Sequence, residues 1–188
     1  MLRFNAIVVS AMSKSGSSAI ADELAKHYGW ARFSAGDEFK RLVTTANNEL
    51  DATLQIWQTA GRSTDLHENL NSQVLRKATG GNVVIDAKLG IFLTKDLPNV
   101  VRVWVDTDFE KRVELARLKT GEDPEQIKLK LSQRAQLETT EWTRMYPEFS
   151  QYSKQKELAN IVVKNAGTLQ EAVQTIIVEL EKLSQEPA

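Results

Sequence analysis

Apolar residues fall along the chain in two rhythms. Short β-branched runs occur at Ala6–Val9, Val83–Ile85, Val100–Val105 and Ile161–Val163, too short for buried helices and apolar on both faces, as expected of strands covered on both sides. Trp30–Ser34 is a weaker fifth candidate. Between them the spacing changes to three and four residues, predicting helices over Ser18–Tyr28, Asp37–Asn47, Leu66–Lys77, Phe109–Lys119, Glu125–Met145 and Leu169–Leu183. In the last of these, Leu169, Val173, Ile176, Ile177 and Leu180 form one apolar stripe suited to packing on a sheet. Gly121-Glu122-Asp123-Pro124 interrupts two helices, with Pro124 placed to open the second. Alternating strands and helices predict an α/β fold with five parallel strands and helices on both faces. The segment Glu125–Pro147 is charged and amide-rich, which predicts a solvated surface helix pair more readily than a mobile lid.

The 188 residues suit one α/β domain over positions 1–188. The chain has no cysteine, which excludes disulfides, thiolate metal sites and a cysteine nucleophile, and agrees with a reducing, cytoplasmic setting. A formal net charge of −1 supplies no global attraction to nucleic acid or anionic membrane, so an anion site must be a local device and the ligand a small molecule. The four tryptophans, Trp30, Trp57, Trp104 and Trp142, are scattered and make no stacking platform for single strands; Trp104 belongs to a strand and to the core. His27 and His67 have no metal-site spacing, and His67 is expected at the surface.

The most informative stretch is Ala6-Ile7-Val8-Val9-Ser10-Ala11-Met12-Ser13-Lys14-Ser15-Gly16-Ser17-Ser18, a strand, a loop of small residues and a helix start. Such a loop turns successive N–H groups inward at the positive end of the following helix, which makes a cradle for phosphates. Against the pattern G-x-x-x-x-G-K-[ST], Gly16 is the second glycine and Ser18 the hydroxyl; Ala11 replaces the first glycine and Ser17 the lysine. Lys14, inside the loop, is a candidate for the missing charge. The bland alternative is that Ser17 or Ser18 simply caps a helix.

This loop, together with Phe33-Ser34-Ala35-Gly36-Asp37-Glu38-Phe39-Lys40, Asn82-Val83-Val84-Ile85-Asp86-Ala87-Lys88-Leu89 and Val103-Trp104-Val105-Asp106, resembles in order and spacing the cytidylate kinase family, particularly its shorter archaeal-type branch. The resemblance implies a three-layer P-loop NTPase fold, with the segment near 121–147 as a helical lid, and transfer of the ATP γ-phosphoryl group to (d)CMP or a related pyrimidine monophosphate. ATP and Mg²⁺ are the implied cofactors and a monomer the default. By position, Ser13, Lys14, Ser15, Gly16, Ser17 and Ser18 would cradle the donor, with Ser18 on the metal. Ser34, Gly36, Asp37, Lys40, Asp86 and Lys88 would meet the acceptor, with Lys14, Asp37, Lys88 and Arg134 nearest the chemistry. Arg112 and Arg117 are further cations on the helix after the fourth strand. Three departures bear on this picture. Lys40 and Lys88 stand where the family usually has arginine, losing the bidentate fork. Glu141 stands where a second basic lid residue is expected, with Arg144 three residues on as a substitute. His67 and Asn71 stand where the base-recognition helix usually carries acids. Together with Ser17 the first two departures support an alternative, a nucleotide-binding descendant with impaired turnover; the third bears on which base is recognised.

Overall fold

A computed structural model describes residues 3–43, 62–147 and 152–185. Five strands form one parallel sheet: β1 (Ala6–Ala11), β2 (Ala31–Ser34), β3 (Val83–Asp86), β4 (Val100–Asp106) and β5 (Ile161–Lys164). Their spatial order is β2-β3-β1-β4-β5. In register, Ala6 faces Val83 on one side and Val100 on the other, so β1 is central and paired on both edges. A central strand must satisfy two ladders and two covered faces, and all six β1 residues are accordingly buried.

The period-two alternation sorts the strands' side chains. Ile7, Val9, Val101, Val103, Val105, Ile161 and Val163 point to one face, where they meet helices α1 (Ser17–Tyr28) and α7 (Leu169–Gln185). The α7 stripe of Val173, Ile176, Ile177 and Leu180 packs there, as its spacing predicts. Ala6, Val8, Val83 and Ile85 point to the other face, against Val74 and Ala78 of α3 (Thr64–Gly80). A satellite cluster on that side joins Leu89, Ile91, Trp104, Trp142 and Tyr152. Trp104 is core, as expected.

The expected strands and helices are present, with ends moved by a few residues. The helix expected over Asp37–Asn47 is α2 (Ala35–Val43) as far as the described residues run; its continuation and Trp57 lie outside them. Two elements had no pattern to announce them: the single turn α4 (Gly90–Leu93) and a 3₁₀ helix over Tyr152–Leu158. α5 (Phe109–Thr120) and α6 (Pro124–Met145) complete the set, α6 opening on an Asp123 cap that accepts from the N–H groups of Glu125 and Gln126. The surface reading of Glu125–Pro147 is corrected. α6 buries Ile127 and Leu131 against α5, and its C-terminal half buries Glu138, Glu141 and Trp142 toward the body of the protein. Its few apolar positions are spread thinly, and two of its buried groups are carboxylates, so composition hid the buried face.

Candidate active site

In an open parallel sheet, ligands bind beyond the carboxyl ends of the strands, where crossovers to the two sides part. Here the loops after β1, β2 and β3 meet at that edge. The β1–α1 loop enters the helix through Gly16, whose φ of 84° is left-handed; a Cβ there would stand 2.9 Å from Nδ2 of Asn165. Lys14 is also left-handed, at φ 64°.

What shapes the loop is where its carbonyls go. The Tyr152 hydroxyl donates to the Ala11 carbonyl, Arg112 Nε to that of Ser13 (2.8 Å), and both Thr107 Oγ1 (3.1 Å) and Asn165 Nδ2 (2.9 Å) to that of Ser15. Four side chains from three later segments thus tie down alternate carbonyls of the loop, and the Ser15 N–H donates to the Met12 carbonyl (3.3 Å) within it; with those carbonyls engaged, the remaining N–H groups suit an anion. Arg112 serves here as a buried strut rather than a cation facing a ligand. Arg117 is exposed and lines neither cleft described below. Thr107, Tyr152 and Asn165 carry no sequence signal for this task, because each acts through a carbonyl 92 to 150 residues away.

α1 has no side-chain cap at Gly16, so the capping alternative for Ser17 and Ser18 is not what is found. Both hydroxyls instead donate to Asp86 at the end of β3, Ser17 to Oδ1 at 3.2 Å and Ser18 to Oδ2 at 2.6 Å. Arg32 of β2, which the sequence did not single out, reaches Asp86 (3.5 Å), Asp37 (3.1 Å) and Asp22 (2.6 Å), tying β2, α1 and α2 to the end of β3. Burial pushes the Asp86 carboxyl up, against the hydrogen bonds of Ser18 and Ser17 and the charge of Arg32. Ser34 caps α2, its hydroxyl accepting from the Asp37 N–H at 3.1 Å. Burial pushes Asp37 upward too, but Arg32, Lys40 and Ser34 outweigh it and hold the carboxyl below its ordinary value.

Lys88, just past β3, has the most unusual environment. Its ammonium contacts the Ser13 hydroxyl and both carboxylate oxygens of Glu138 (2.6 Å to Oε1), and lies 5.8 and 5.9 Å from the ring centroids of Trp142 and Tyr152. Burial and the neighbouring Arg134 guanidinium push it down to about 7, with Glu138 pulling the other way. Arg134 Nε in turn holds Glu138 Oε1 at 2.8 Å. Burial opposes ionisation of Glu138, yet the two cations keep its carboxyl below the usual value.

Two clefts meet around these groups. The first is the loop cradle, running from Ala11 to Ala19 and bounded by Ser34, Asp37, Asp86 and Lys119; it contains every expected donor residue. The second is mostly apolar, with Phe39, Leu70, Val74 and Trp142 in its walls and His67 and Asn71 among its polar groups. Gly36, Lys40, Lys88 and Arg134 line both. His67 is buried against the Phe39 ring (centroids 5.5 Å apart), so the surface expectation for it is corrected. Its neighbours Leu66 and Leu70 turn that face of α3 toward α2 and carry it inside. Arg144 pairs with Glu141 (3.0 Å) and the Arg62 carbonyl and lines neither cleft, so it does not substitute for the expected lid cation. Among the described residues no cluster of three or more His, Cys, Asp or Glu is placed to hold a metal by itself, and no helix is long and apolar enough to cross a membrane.

A parallel sheet in the order 2-3-1-4-5, with an anion-cradling loop between the central strand and its helix, is the fold of the P-loop kinases. Solved structures agree: an Aquifex aeolicus shikimate kinase superposes with a TM-score of 0.60 over 96% of this chain and 98% of its own at 19% identity. A Eubacterium ventriosum protein of uncharacterised role gives 0.69 over 94% and 98% at 18% identity. The chain belongs to the cytidylate kinase-like family, whose model matches residues 6–166. Relatives include the cytidylate kinases of Thermococcus kodakarensis, 25% identical over 144 residues (74% of this chain, 70% of that one), and of Ignicoccus hospitalis, 27% identical over 167 residues (89% and 93%). At the level of the family, this is a nucleoside monophosphate kinase scaffold.

Proposed function

We propose that the protein transfers the γ-phosphoryl group of ATP to a pyrimidine nucleoside monophosphate, CMP or dCMP first among them. One observation carries the reading: Lys40, Lys88 and Arg134 stand at the seam between the phosphate cradle and the apolar pocket, lining both. A phosphoryl group in flight between two nucleotides needs positive charge where it passes and little covalent help. The cradle's N–H groups and Lys14 suit the donor phosphates. The apolar pocket suits a base, with Phe39 and Trp142 as ring surfaces and His67 and Asn71 as hydrogen-bonding groups for its edge.

The residues fit a magnesium ion. Ser18 Oγ and Asp86 are hard oxygen groups 2.6 Å apart, both lining the cradle; Ser18 would hold the ion and Asp86 would help to position it. When bound, such an ion neutralises charge developing on the donor phosphates. To hold such an ion Ser18 would give up its bond to Asp86. Asp37, kept ionised beside Arg32 and Lys40, orients the acceptor end of the cradle. Lys88, touching Ser13 of the loop from the acceptor side, supplies the ammonium that Ser17 lacks.

The second reading, a nucleotide-binding protein of impaired turnover, is favoured by Ser17 itself: its hydroxyl is spent on Asp86 and brings no charge to the transferring group. Incubation with Mg²⁺-ATP and a panel of ribo- and deoxyribonucleoside monophosphates, following ADP, separates the two. Turnover with CMP, dCMP or UMP that collapses in Lys14→Ala and Lys88→Ala is expected. No turnover above background, with nucleotide binding retained in calorimetry, leaves the second reading.

A further inference from the structure

The seam cations already hold an anion of the protein's own. Glu138 is 4% exposed, lies on α6, and lines the acceptor pocket but not the loop cradle. From that side its two carboxylate oxygens take Lys88, and one of them also takes Arg134. Two oxygens gripped by a lysine and an arginine, next to the loop hydroxyl of Ser13, are what a phosphate would present to these side chains. Around the group, Arg112 of α5 is committed to the Ser13 carbonyl, and the Trp142 and Tyr152 rings of α6 and the 3₁₀ helix lie 5.8 and 5.9 Å from the Lys88 ammonium. The same two cations cannot grip the carboxylate and a phosphoryl group in full at once.

We propose that Glu138 is a specificity-determining counter-anion: it occupies Lys88 and Arg134 in the empty site and gives way only to an acceptor carrying a phosphate. This rests on the kinase reading of the two clefts. An acceptor with a phosphate replaces one anion by another at Lys88 and Arg134, so both cations stay neutralised; the displaced Glu138 carboxylate, buried and deprived of them, must turn away or take up a proton, and that cost is set against phosphate binding. A neutral acceptor, a nucleoside or a polyol, offers nothing to replace the carboxylate. Lys88 and Arg134 then stay bound to Glu138 and are withheld from the transferring group. The carboxylate thus weakens phosphate binding, and its selectivity lies not in affinity but in releasing Lys88 and Arg134 to the transferring group only when a phosphate displaces it.

The test is calorimetric and needs no turnover. Orthophosphate and cytidine are titrated separately into wild type, Glu138→Gln and Glu138→Asp. Glutamine keeps the shape and removes the competing charge; aspartate keeps the charge but is a methylene too short to bridge both cations. A carboxylate a few ångströms from a bound phosphate at a partly screened site is worth about tenfold or more in affinity. Orthophosphate is therefore expected to bind about tenfold tighter to Glu138→Gln and to an intermediate degree to Glu138→Asp, with cytidine binding unchanged. Unchanged or weaker phosphate binding in the variants overturns the proposal and makes Glu138 a support for the cations instead. Should Glu138→Gln fail to fold, the aspartate variant decides alone. Lack of phosphoryl transfer by the wild type sinks the kinase reading without touching this comparison, and normal transfer with no phosphate effect sinks this inference alone.

Discussion

Replacing Lys88 with methionine tests the reasoning about the seam through stability alone. Methionine matches the stem of lysine and keeps its apolar packing against Trp142 and Tyr152, so the change removes chiefly the ammonium. What remains is a buried Glu138 that has lost contacts on both oxygens and keeps one guanidinium contact, Arg134 at 2.8 Å. Breaking a buried pair by removing one partner commonly costs about 3–5 kcal/mol. The surviving Arg134 contact and the relief of burying an ammonium both reduce this, so the expected loss is roughly 2 kcal/mol, well above the roughly 0.5 kcal/mol of a surface pair. The second mutation, Glu138→Gln, removes the stranded charge. The double variant is expected to regain most of the loss, giving a coupling of at least roughly 1 kcal/mol, as contacting residues show. Urea unfolding of the four proteins measures it. A Lys88→Met change that costs less than roughly 0.5 kcal/mol, or a double variant whose losses simply add, would refute the picture of a tightly engaged, buried pair.

Lys88 also predicts a pH dependence. Its folded value near 7 lies below that of an ordinary lysine, so between about 7 and 10.4 the unfolded chain binds the extra proton and stability rises with pH, flattening above that range. The rise is expected to shrink in Lys88→Met, and equal slopes for the two proteins across that window would contradict it. Gly16→Ala forces a left-handed alanine, costing about 1–2 kcal/mol, and drives its Cβ into the Asn165 amide that holds the Ser15 carbonyl. Nucleotide affinity is expected to fall together with thermal stability; a variant whose ATP binding by calorimetry equals that of wild type would show that the loop does not depend on Gly16.

Much of the molecule could be read before any coordinates. Ala6–Val9 and Val100–Val105 are apolar at every or nearly every position, and a run of that length with that composition has few stable homes besides a strand covered on both faces. The stripe of α7 likewise named the face that packs. These are local statements, governed by periods of two and 3.6 residues that a sequence displays directly. The Gly16-Ser17-Ser18 loop was legible for a similar reason, since strand, small-residue loop and helix lie within one short stretch.

Tertiary structure decided the rest, because the deciding contacts join residues far apart in the chain. Tyr152, Thr107 and Asn165 hold loop carbonyls, and Arg32 gathers three carboxylates, through pairings no local period records. His67 and Glu138 are polar residues on helices of low overall hydrophobicity, and composition places such residues in solvent. Packing placed them inside: His67 because Phe39 lies over it, Glu138 because two cations compensate the charge that burial would otherwise make too costly. The sequence by itself determined the sheet, its helices and the cradle. Which charges meet in that cradle is a property of the folded chain, since an ion pair is set by distance and dielectric, and both exist only once the chain has closed around it.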